Sequence, residues 1–356
     1  MDYDLIKKRI AGCLYGGALG DALGYAVEFS PWENIKAKYG VNGICAPELI
    51  DGKARVSDDT QMTLFTAEGM CFGYFRASQR GIGAEVEHYV YDSYLCWLQT
   101  QGYPADSLWN PVSRLLKNPD MNCKRAPGNT CLNALMSGKM GTIDNPINNS
   151  KGCGGVMRTA PLGCLRGQRV NCNPFGAPIK LGARVAAITH GHPLGFIPAG
   201  MLSDIVDRAV FEDYATITDL INDSIAATEK EYAAYCRTKD LTDLLHRAAA
   251  LADANGDCAA DVHEQAIRSL GGGWVGEEAL AIAIYAVMCY PTDLKKALIT
   301  AVNHGGDSDS TGAIAGNILG AYLGFGAVPA DWVPQLELTD EIDTIIDMLI
   351  NANKDA

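Results

Sequence analysis

The sequence predicts an all-α fold in which residues 1–356 form one domain. Apolar residues recur at steps of three and four over long stretches, which is the spacing of one helix face. The strict alternation that marks a half-buried strand is nearly absent. Clusters of glycine, proline and asparagine indicate loops at 102–129, 141–155 and 171–178. No repeat, low-complexity tract or linker divides the chain, so a single domain is the simplest prediction.

The first predicted helix runs through residues 6–24 and is rich in glycine. Ile6, Ile10 and Leu14 follow the three- and four-residue spacing of an apolar face. Each glycine weakens helix propensity by about 1 kcal/mol relative to alanine, but residues this small allow a second helix to approach closely. We therefore expect this helix to be central. Asp21 lies on its apolar face, where an unpaired carboxylate is rare.

The second predicted helix, at 57–75, begins at Ser57, which is a favoured N-cap residue. The third, at 86–98, is amphipathic and carries aromatic residues. A later helix at 277–289 is rich in alanine and isoleucine and ends before Pro291. The same periodicity predicts further helices at 181–189, 202–210, 216–252, 294–302, 310–323 and 341–350.

Composition and charge exclude several classes of protein. The 29 basic and 42 acidic residues give a net charge of −13, which argues against binding nucleic acid or an anionic membrane. No apolar stretch reaches the roughly 20 residues that a membrane span needs. The first ten residues do not resemble a secretory signal. The twelve cysteines form no CxxC pair, so we expect free thiols in a cytoplasmic protein rather than disulfides or zinc fingers.

The first polar motif is VSDDTQ at 56–61, directly before an apolar helix. Ser57 would cap the helix, and Asp58 and Asp59 would then lie in the first turn, where the helix dipole favours negative charge. The simpler interpretation is therefore a well-capped helix. Adjacent carboxylates beside a hydroxyl are also the hard oxygen ligands that Mg²⁺ and Mn²⁺ prefer.

The second polar motif is HGGDSDSTG at 304–312. Asp307 and Asp309 can point the same way in an extended turn, and Ser310 adds a hydroxyl at the start of the next helix. A helix cap needs only one such residue, so the motif exceeds what capping requires. If the two motifs converge, their four carboxylates would repel one another unless cations lie between them. Two divalent ions about 3.5 to 4 Å apart are a known arrangement.

Other polar or glycine-rich segments permit two interpretations each. Glu28 follows the glycine-rich helix and by itself would be an ordinary surface residue. The sequence SKGCGGVMR at 150–158 has the glycines of an anion cradle, or of a flexible turn, and PGNT at 127–130 is similar but less specific. His190 could contact a substrate or have a structural role. Trp274 follows three glycines and is either packed in the core or a platform for a ring or ribose.

Seven segments together resemble the ADP-ribosylglycohydrolase family. They occur in the order GGALGDALGYAVEF, VSDDTQMTLF, RAPGNT, KGCGGVMRTAPLG, THGHPLG, GGGWVGEEAL and NHGGDSDSTGAIAGNILGAYLG, and they extend from about residue 9 to 325. The resemblance implies a single-domain orthogonal helical bundle that holds a binuclear Mg²⁺ or Mn²⁺ centre.

The resemblance also implies roles for individual residues. The two halves of the metal site are Ser57, Asp58 and Asp59 with Asp307, Asp309 and Ser310. Glu28 matches a mobile-loop glutamate that approaches the metals and the reacting ribose. It shares the handling of protons with Asp58 or Asp59, and the sequence leaves the division of that role open. The residues expected to bind substrate are the diphosphate loop and the groove lining, namely Ser150, Gly152, Cys153, Gly154, Gly155, Val156, His190, Trp274 and Gly128.

Two features depart from the family pattern. Cys153 stands where asparagine is frequent, which weakens the inference for the diphosphate loop. Ser57 and Ser310 stand where threonine is common, but the hydroxyl oxygen is kept.

The resemblance implies a metal-dependent hydrolase that removes ADP-ribose from modified arginine of a protein substrate. Alternatives are an O-linked serine bond, a small ADP-ribose derivative, or a non-catalytic protein that binds ADP-ribose or serves a structural role. An unrelated metal phosphoesterase would normally carry histidine ligands, which the two metal motifs lack apart from neighbouring His304. We expect the protein to act as a monomer.

Overall fold

The computed structural model describes residues 2–80, 85–109, 112–166 and 176–354. The predicted all-α fold is confirmed, since 67% of the chain is helical and strands are almost absent from the ranges just given. The α-helices of the described residues are α1 Tyr3–Tyr25, α2 Trp32–Tyr39, α3 Asp58–Arg80, α4 Val86–Thr100, α5 Arg114–Lys117, α6 Asn129–Met136, α7 Pro178–Ala187, α8 Pro193–Phe211, α9 Ile217–Glu231, α10 Arg237–Asn255, α11 Ala260–Leu270, α12 Gly276–Cys289, α13 Leu294–Val302, α14 Ser308–Leu323 and α15 Thr339–Lys354.

Two strands form one small antiparallel hairpin. They are β1 Leu49–Ile50 and β2 Lys53–Ala54, with Leu49 opposite Ala54. Asp51 and Gly52 form the turn with φ angles of 53° and 80°, so both central residues are in the left-handed region that a tight hairpin requires. The hairpin is too short to change the fold class.

Several helices differ from the sequence prediction. The helix predicted at 202–210 begins at Pro193, because burial of the whole segment outweighs the low helix propensity of its proline and glycine residues. The helix predicted at 216–252 is two helices, α9 and α10, separated by a turn at 232–236. Helices α2, α5 and α11 were not predicted, and α5 lies within the loop predicted at 102–129. Most of the loop predicted at 171–178 lies outside the described residues.

Helix α1 packs antiparallel against α14 through glycine on both sides. A Cβ atom added at Gly16 would lie 2.4 Å from the carbonyl oxygen of Gly316, and one added at Gly20 would lie 2.0 Å from that of Gly312. Separations this short are impossible for real Cβ atoms, so the helix backbones touch directly. The expected central position of the first helix therefore has a physical basis in its small residues.

A buried amide reinforces this pair of helices. The side-chain Nδ2 of Asn317 on α14 donates to the carbonyl oxygen of Cys13 on α1 at 2.9 Å. The amide fits because Gly17 has no side chain, and a Cβ there would lie 2.1 Å from Asn317 Nδ2. A polar contact inside the interface fixes the register of the two helices along their common axis.

Two further expectations concern membranes and cysteines. Among the described residues, no helix combines the length and the apolar character needed to cross a membrane. The eleven cysteines within the described ranges are all free thiols, in agreement with the sequence prediction. The single domain over 1–356 stays a prediction.

We expect Gly316→Ala to lower the free energy of unfolding by about 1–3 kcal/mol, because the new Cβ would lie 2.0 Å from the Gly16 carbonyl oxygen. Urea unfolding followed by circular dichroism measures the change. Gly326→Ala is the matched control, because no atom lies within 4 Å of a Cβ added there. Equal stability of the two variants would contradict the close helix contact.

Candidate functional site

The first acidic motif lies at the amino terminus of α3 and is held there by a buried carboxylate from α1. Asp21 accepts hydrogen bonds from the backbone N–H groups of Ser57 and Thr60, each at 3.0 Å. Asp21 is fully buried. The buried Asp21 carboxylate therefore finds its hydrogen-bond donors at the start of α3, which gives Asp21 a structural role.

Ser57 caps α3 as expected, because its Oγ accepts from the backbone N–H of Asp59 at 3.1 Å. Asp58 and Asp59 both lie in the first turn and are almost fully buried. The Oδ2 atom of Asp58 accepts from the backbone N–H of Gly128 at 3.2 Å. The Oδ2 atom of Asp59 is buried and has no hydrogen-bond partner among the described residues. One carboxylate oxygen at this helix start thus lacks the partner that burial normally demands.

The second acidic motif begins α14 and meets Glu28. Asp307 precedes the helix, and Asp309 lies in its first turn, where its Oδ1 accepts from the backbone N–H of Ser310 at 2.9 Å. Carboxylate oxygens of Glu28, Asp307 and Asp309 lie within 4.8 Å of one another. The structure thus places Glu28, for which the resemblance implied a position near the metals, among the groups that could hold a cation.

Burial and the negative charges of neighbouring carboxylates raise the pKa values of Glu28, Asp58, Asp59 and Asp309. Burial raises the pKa of Glu28 to about 8, with the charges of Asp307 and Asp58 adding to the effect. Burial likewise raises the pKa of Asp58 to about 8, although the Gly128 N–H opposes the change. Burial and neighbouring aspartates raise the pKa values of Asp59 and Asp309 well above the ordinary range. So many buried carboxyl groups cannot all ionise without positive charge between them.

The residues of this cluster fit a divalent cation. The donors are mainly carboxylate and hydroxyl oxygens, which suit Mg²⁺ and Mn²⁺. Ser310 lies next to Asp59, so hydroxyl and carboxylate from the two motifs adjoin. The unpartnered oxygen of Asp59 is the specific feature that a bound cation would satisfy. We call Glu28, Asp58, Asp59, Asp307 and Asp309 the carboxylate cluster.

The glycine-rich loop at 150–156 lies beside this cluster and is fixed by backbone hydrogen bonds. The N–H of Cys153 donates to the Trp274 carbonyl oxygen at 3.1 Å, and that of Gly276 donates to the Lys151 carbonyl oxygen at 2.8 Å. The Ser150 and Thr130 hydroxyl oxygens are 3.2 Å apart, which joins the loop to α6. Gly155 and Val156 are buried, whereas the residues from 150 to 154 are partly exposed.

The structure places His190 behind this loop, with a side chain that is only 1% exposed. A Cβ added at Gly154 or Gly155 would lie 3.4 or 3.2 Å from its ring, so the loop glycines leave room for the imidazole. Burial, together with the charge of Arg158, lowers the pKa of His190 to about 3, which keeps the ring neutral. The position of His190 suits a role in supporting the glycine-rich loop.

Lys151 and Cys153 have specific acidic partners. The Lys151 ammonium group forms an ion pair with Glu277, so its charge is not free for an anion. The Sγ atom of Cys153 lies 2.9 Å from Oδ2 of Asp307. Burial and Asp307 raise the pKa of the Cys153 thiol well above its ordinary value, so the thiol donates to the carboxylate. Cys153, which stands where asparagine is frequent in the family that the sequence resembles, therefore faces the carboxylate cluster.

An aromatic pair stands at the rim of the site. The rings of Phe29 and Trp274 stack at a centroid distance of 5.4 Å with 5° between their planes, and both are substantially exposed. Phe29 has a φ angle of 61°, an uncommon value for a bulky residue, and its N–H donates to the Gly306 carbonyl oxygen at 3.2 Å. The sequence analysis identified Trp274 but missed Phe29, because nothing in the sequence marks a phenylalanine that adopts a positive φ angle.

Comparisons with known proteins show which family the sequence and the fold resemble. A sequence model of the ADP-ribosylglycohydrolase family matches residues 2–356. The ADP-ribosyl-[dinitrogen reductase] glycohydrolase of Rhodospirillum rubrum is 25% identical, over 94% of this chain and 92% of that protein. The ADP-ribosylhydrolase ARH3 of Danio rerio is also 25% identical, over 96% and 90% of the two chains. A solved structure titled "ADP-ribosylglycohydrolase-related protein complex" has a similar fold, with a TM-score of 0.58, 21% identity and coverage of 98% and 99%.

We expect Mn²⁺ at about 100 times its dissociation constant to stabilise the protein by about 2.7 kcal/mol, because the ion would bind the folded site only. Asp59→Asn should weaken this stabilisation, since it removes a charge at the unpartnered oxygen. The exposed Asp144→Asn changes the net charge equally and should leave the stabilisation intact. Chemical unfolding with and without Mn²⁺ measures both effects, and an unchanged response of Asp59→Asn would contradict the site.

We also expect Mn²⁺ binding to release protons at neutral pH. With a pKa of about 8, the metal-free carboxyl group of Asp58 is largely protonated at pH 7, and a cation binds only its ionised form. Affinity should therefore rise as the pH increases toward 8 and fall as the pH is lowered. Titration calorimetry in buffers of different ionisation enthalpy measures the protons released. A proton count of zero at pH 7 would contradict the electrostatics.

Proposed function

The chain belongs to the ADP-ribosylglycohydrolase family, whose hydrolases act on ADP-ribose linkages, and from this membership we propose that it removes ADP-ribose from arginine side chains of modified proteins in a metal-dependent reaction. The family generally uses divalent metals. The observation that carries the proposal is the carboxylate cluster, in which buried aspartates from two helix starts adjoin the partly buried Glu28 beside an exposed aromatic pair.

The reaction cleaves the bond between the anomeric carbon of the ribose and a guanidinium nitrogen. Water supplies the oxygen that bonds to the carbon, and a proton goes to the leaving nitrogen. Divalent ions, when bound, would polarise ribose hydroxyls and water and would stabilise developing negative charge. Asp58 and Asp59 are the deeper carboxylates and are suited to accept the proton of the water. Glu28 is only partly buried and precedes Phe29 at the rim, so we assign it to the leaving nitrogen.

The glycine-rich loop is suited to the diphosphate. The partly exposed backbone from 152 to 154 has no side chain at Gly152 and Gly154, so phosphate oxygens could approach it closely. The N–H groups of Gly152 and Cys153 donate to the Ser150 hydroxyl and the Trp274 carbonyl oxygen, so the Gly154 N–H is the candidate donor to the phosphate. The Ser150 hydroxyl and the exposed Gly128 stand at the same side of the cluster, which is consistent with the groove that the resemblance implies. His190 would act by supporting the loop rather than through direct contact.

The residues around the aromatic pair at the rim of the site support arginine as the acceptor. Guanidinium groups stack on aromatic faces and pair with carboxylates, and the Phe29 and Trp274 rings are exposed here. A neighbouring cavity of about 580 Å³ is lined by Glu33 and Glu264, whose charges are paired with Lys36 and Arg268, and by Gly306, which directly precedes Asp307. The exposed aromatic faces and the partly exposed Glu28 carboxylate favour a cationic leaving group over a neutral serine hydroxyl.

The proposal is tested by measuring ADP-ribose release from arginine-linked, serine-linked and small-molecule substrates, with and without EDTA. We expect preference for the arginine linkage, loss of activity in chelator and recovery on addition of Mn²⁺. Preference for the serine linkage would contradict the proposal that arginine is the acceptor. Undiminished activity in the presence of EDTA would contradict the proposed metal dependence. Binding of ADP-ribose without release from any substrate would identify a non-catalytic relative.

Glu28→Gln should lower the rate of release by about 10²- to 10⁴-fold, the usual contribution of a positioned acid or base. Asp144→Asn, on the exposed surface, should retain full activity. Single-turnover rates at saturating substrate separate this effect from weakened binding. If Glu28→Gln released ADP-ribose as fast as the unmodified protein, Glu28 would have no part in the reaction.

A further inference from the structure

The thiol of Cys153 occupies a defined position at the edge of the carboxylate cluster. Its Sγ atom lies 2.9 Å from Oδ2 of Asp307, whose carboxylate forms the close group with Glu28 and Asp309. The backbone on both sides of the thiol is fixed, because the Cys153 N–H donates to the Trp274 carbonyl oxygen and the Lys151 carbonyl oxygen accepts from Gly276. The loop therefore points a sulfur atom at a candidate metal ligand.

A second observation indicates that this position faces a ligand. Oδ2 of the almost fully buried Asp59 has no hydrogen-bond partner among the described residues. The Ser310 hydroxyl neighbours both the Cys153 thiol and the Asp59 carboxylate. Sulfur, hydroxyl and an unsatisfied carboxylate oxygen thus border the same part of the cluster, where a cation would satisfy the Asp59 oxygen.

We propose that Cys153 is a direct sulfur ligand of a divalent ion in this cluster and that it shifts the metal preference of the site away from Mg²⁺ toward softer ions such as Co²⁺ and Zn²⁺. A coordinating thiol loses its proton to solvent as the metal–sulfur bond forms, and neither the metal nor the sulfur changes oxidation state. Mg²⁺ selects oxygen ligands, whereas a thiolate favours softer ions. The inference rests on the metal dependence in the proposed function but not on the reaction.

The alternative role for Cys153 is to donate a hydrogen bond that orients Asp307 in an all-oxygen site. The two roles differ in what the metal contacts, since only the first puts sulfur in the coordination shell. They also differ in selectivity, because an orienting hydrogen bond would support hard and soft ions alike.

The test is spectroscopic and uses the full chain. Co²⁺ added to the metal-free protein should give a sulfur-to-cobalt charge-transfer band in the near ultraviolet, and Cys153→Ser should abolish it. Cys45→Ser is the matched control, because Cys45 is an exposed thiol outside the carboxylate cluster, and it should keep the band. Cys153→Ser should also lose on the order of tenfold in Co²⁺ affinity relative to Mg²⁺, the scale of change seen when groups around a metal are altered.

A second measurement does not require the variant to fold. X-ray absorption of the Zn²⁺-loaded unmodified protein should show one sulfur neighbour at about 2.3 Å. A shell of oxygen and nitrogen neighbours alone, or a charge-transfer band that persists in Cys153→Ser, would overturn the proposal and leave Cys153 as a hydrogen-bond donor. A sulfur neighbour in a protein that hydrolyses no ADP-ribose substrate would uphold this inference while contradicting the proposed function.

Discussion

The direct backbone contact between α1 and α14 is the constraint on which the site depends. Glycines on both helices remove the side chains that would otherwise keep the two axes apart, and the contact continues to Gly24, where an added Cβ would lie 2.2 Å from the Ser308 carbonyl oxygen. The carboxyl end of α1 and the amino end of α14 are therefore forced together. Glu28 follows the first and Asp307 precedes the second, so their carboxylates meet as a consequence of helix packing.

The same helix positions the third segment of the site. Asp21 lies on α1 one turn before Gly24 and satisfies backbone N–H groups at the start of α3. Burial raises the pKa of Asp21 to about 6, although the hydrogen bonds from Thr60 and Ser57 oppose the shift. A buried carboxylate that accepts several hydrogen bonds is a costly but specific connection. It holds Asp58 and Asp59 next to the residues that α14 supplies.

The arrangement reconciles an acidic protein with an acidic ligand. A net charge of −13 would repel the diphosphate of ADP-ribose, and the carboxylate cluster concentrates part of that charge in one buried site. Cations in the cluster would reverse the local sign, and the glycine loop lets an anion approach its backbone with no negative side chain of its own. The only basic residue in its exposed part, Lys151, is already paired with Glu277. Metal and backbone, rather than basic side chains, are thus the groups suited to an anionic substrate.

The sequence by itself determined the helical class, both acidic helix starts and the small-residue face of α1, because these follow from periodicity, capping and side-chain size over a few neighbouring residues. It did not separate α9 from α10 or extend α8 back to Pro193, since burial overrides local propensity there. Only the tertiary structure decided that Glu28 joins Asp307 and Asp309, that His190 lies behind the glycine loop and that the Cys153 thiol faces Asp307. These contacts join residues far apart in the chain, and their distances depend on how closely whole helices pack.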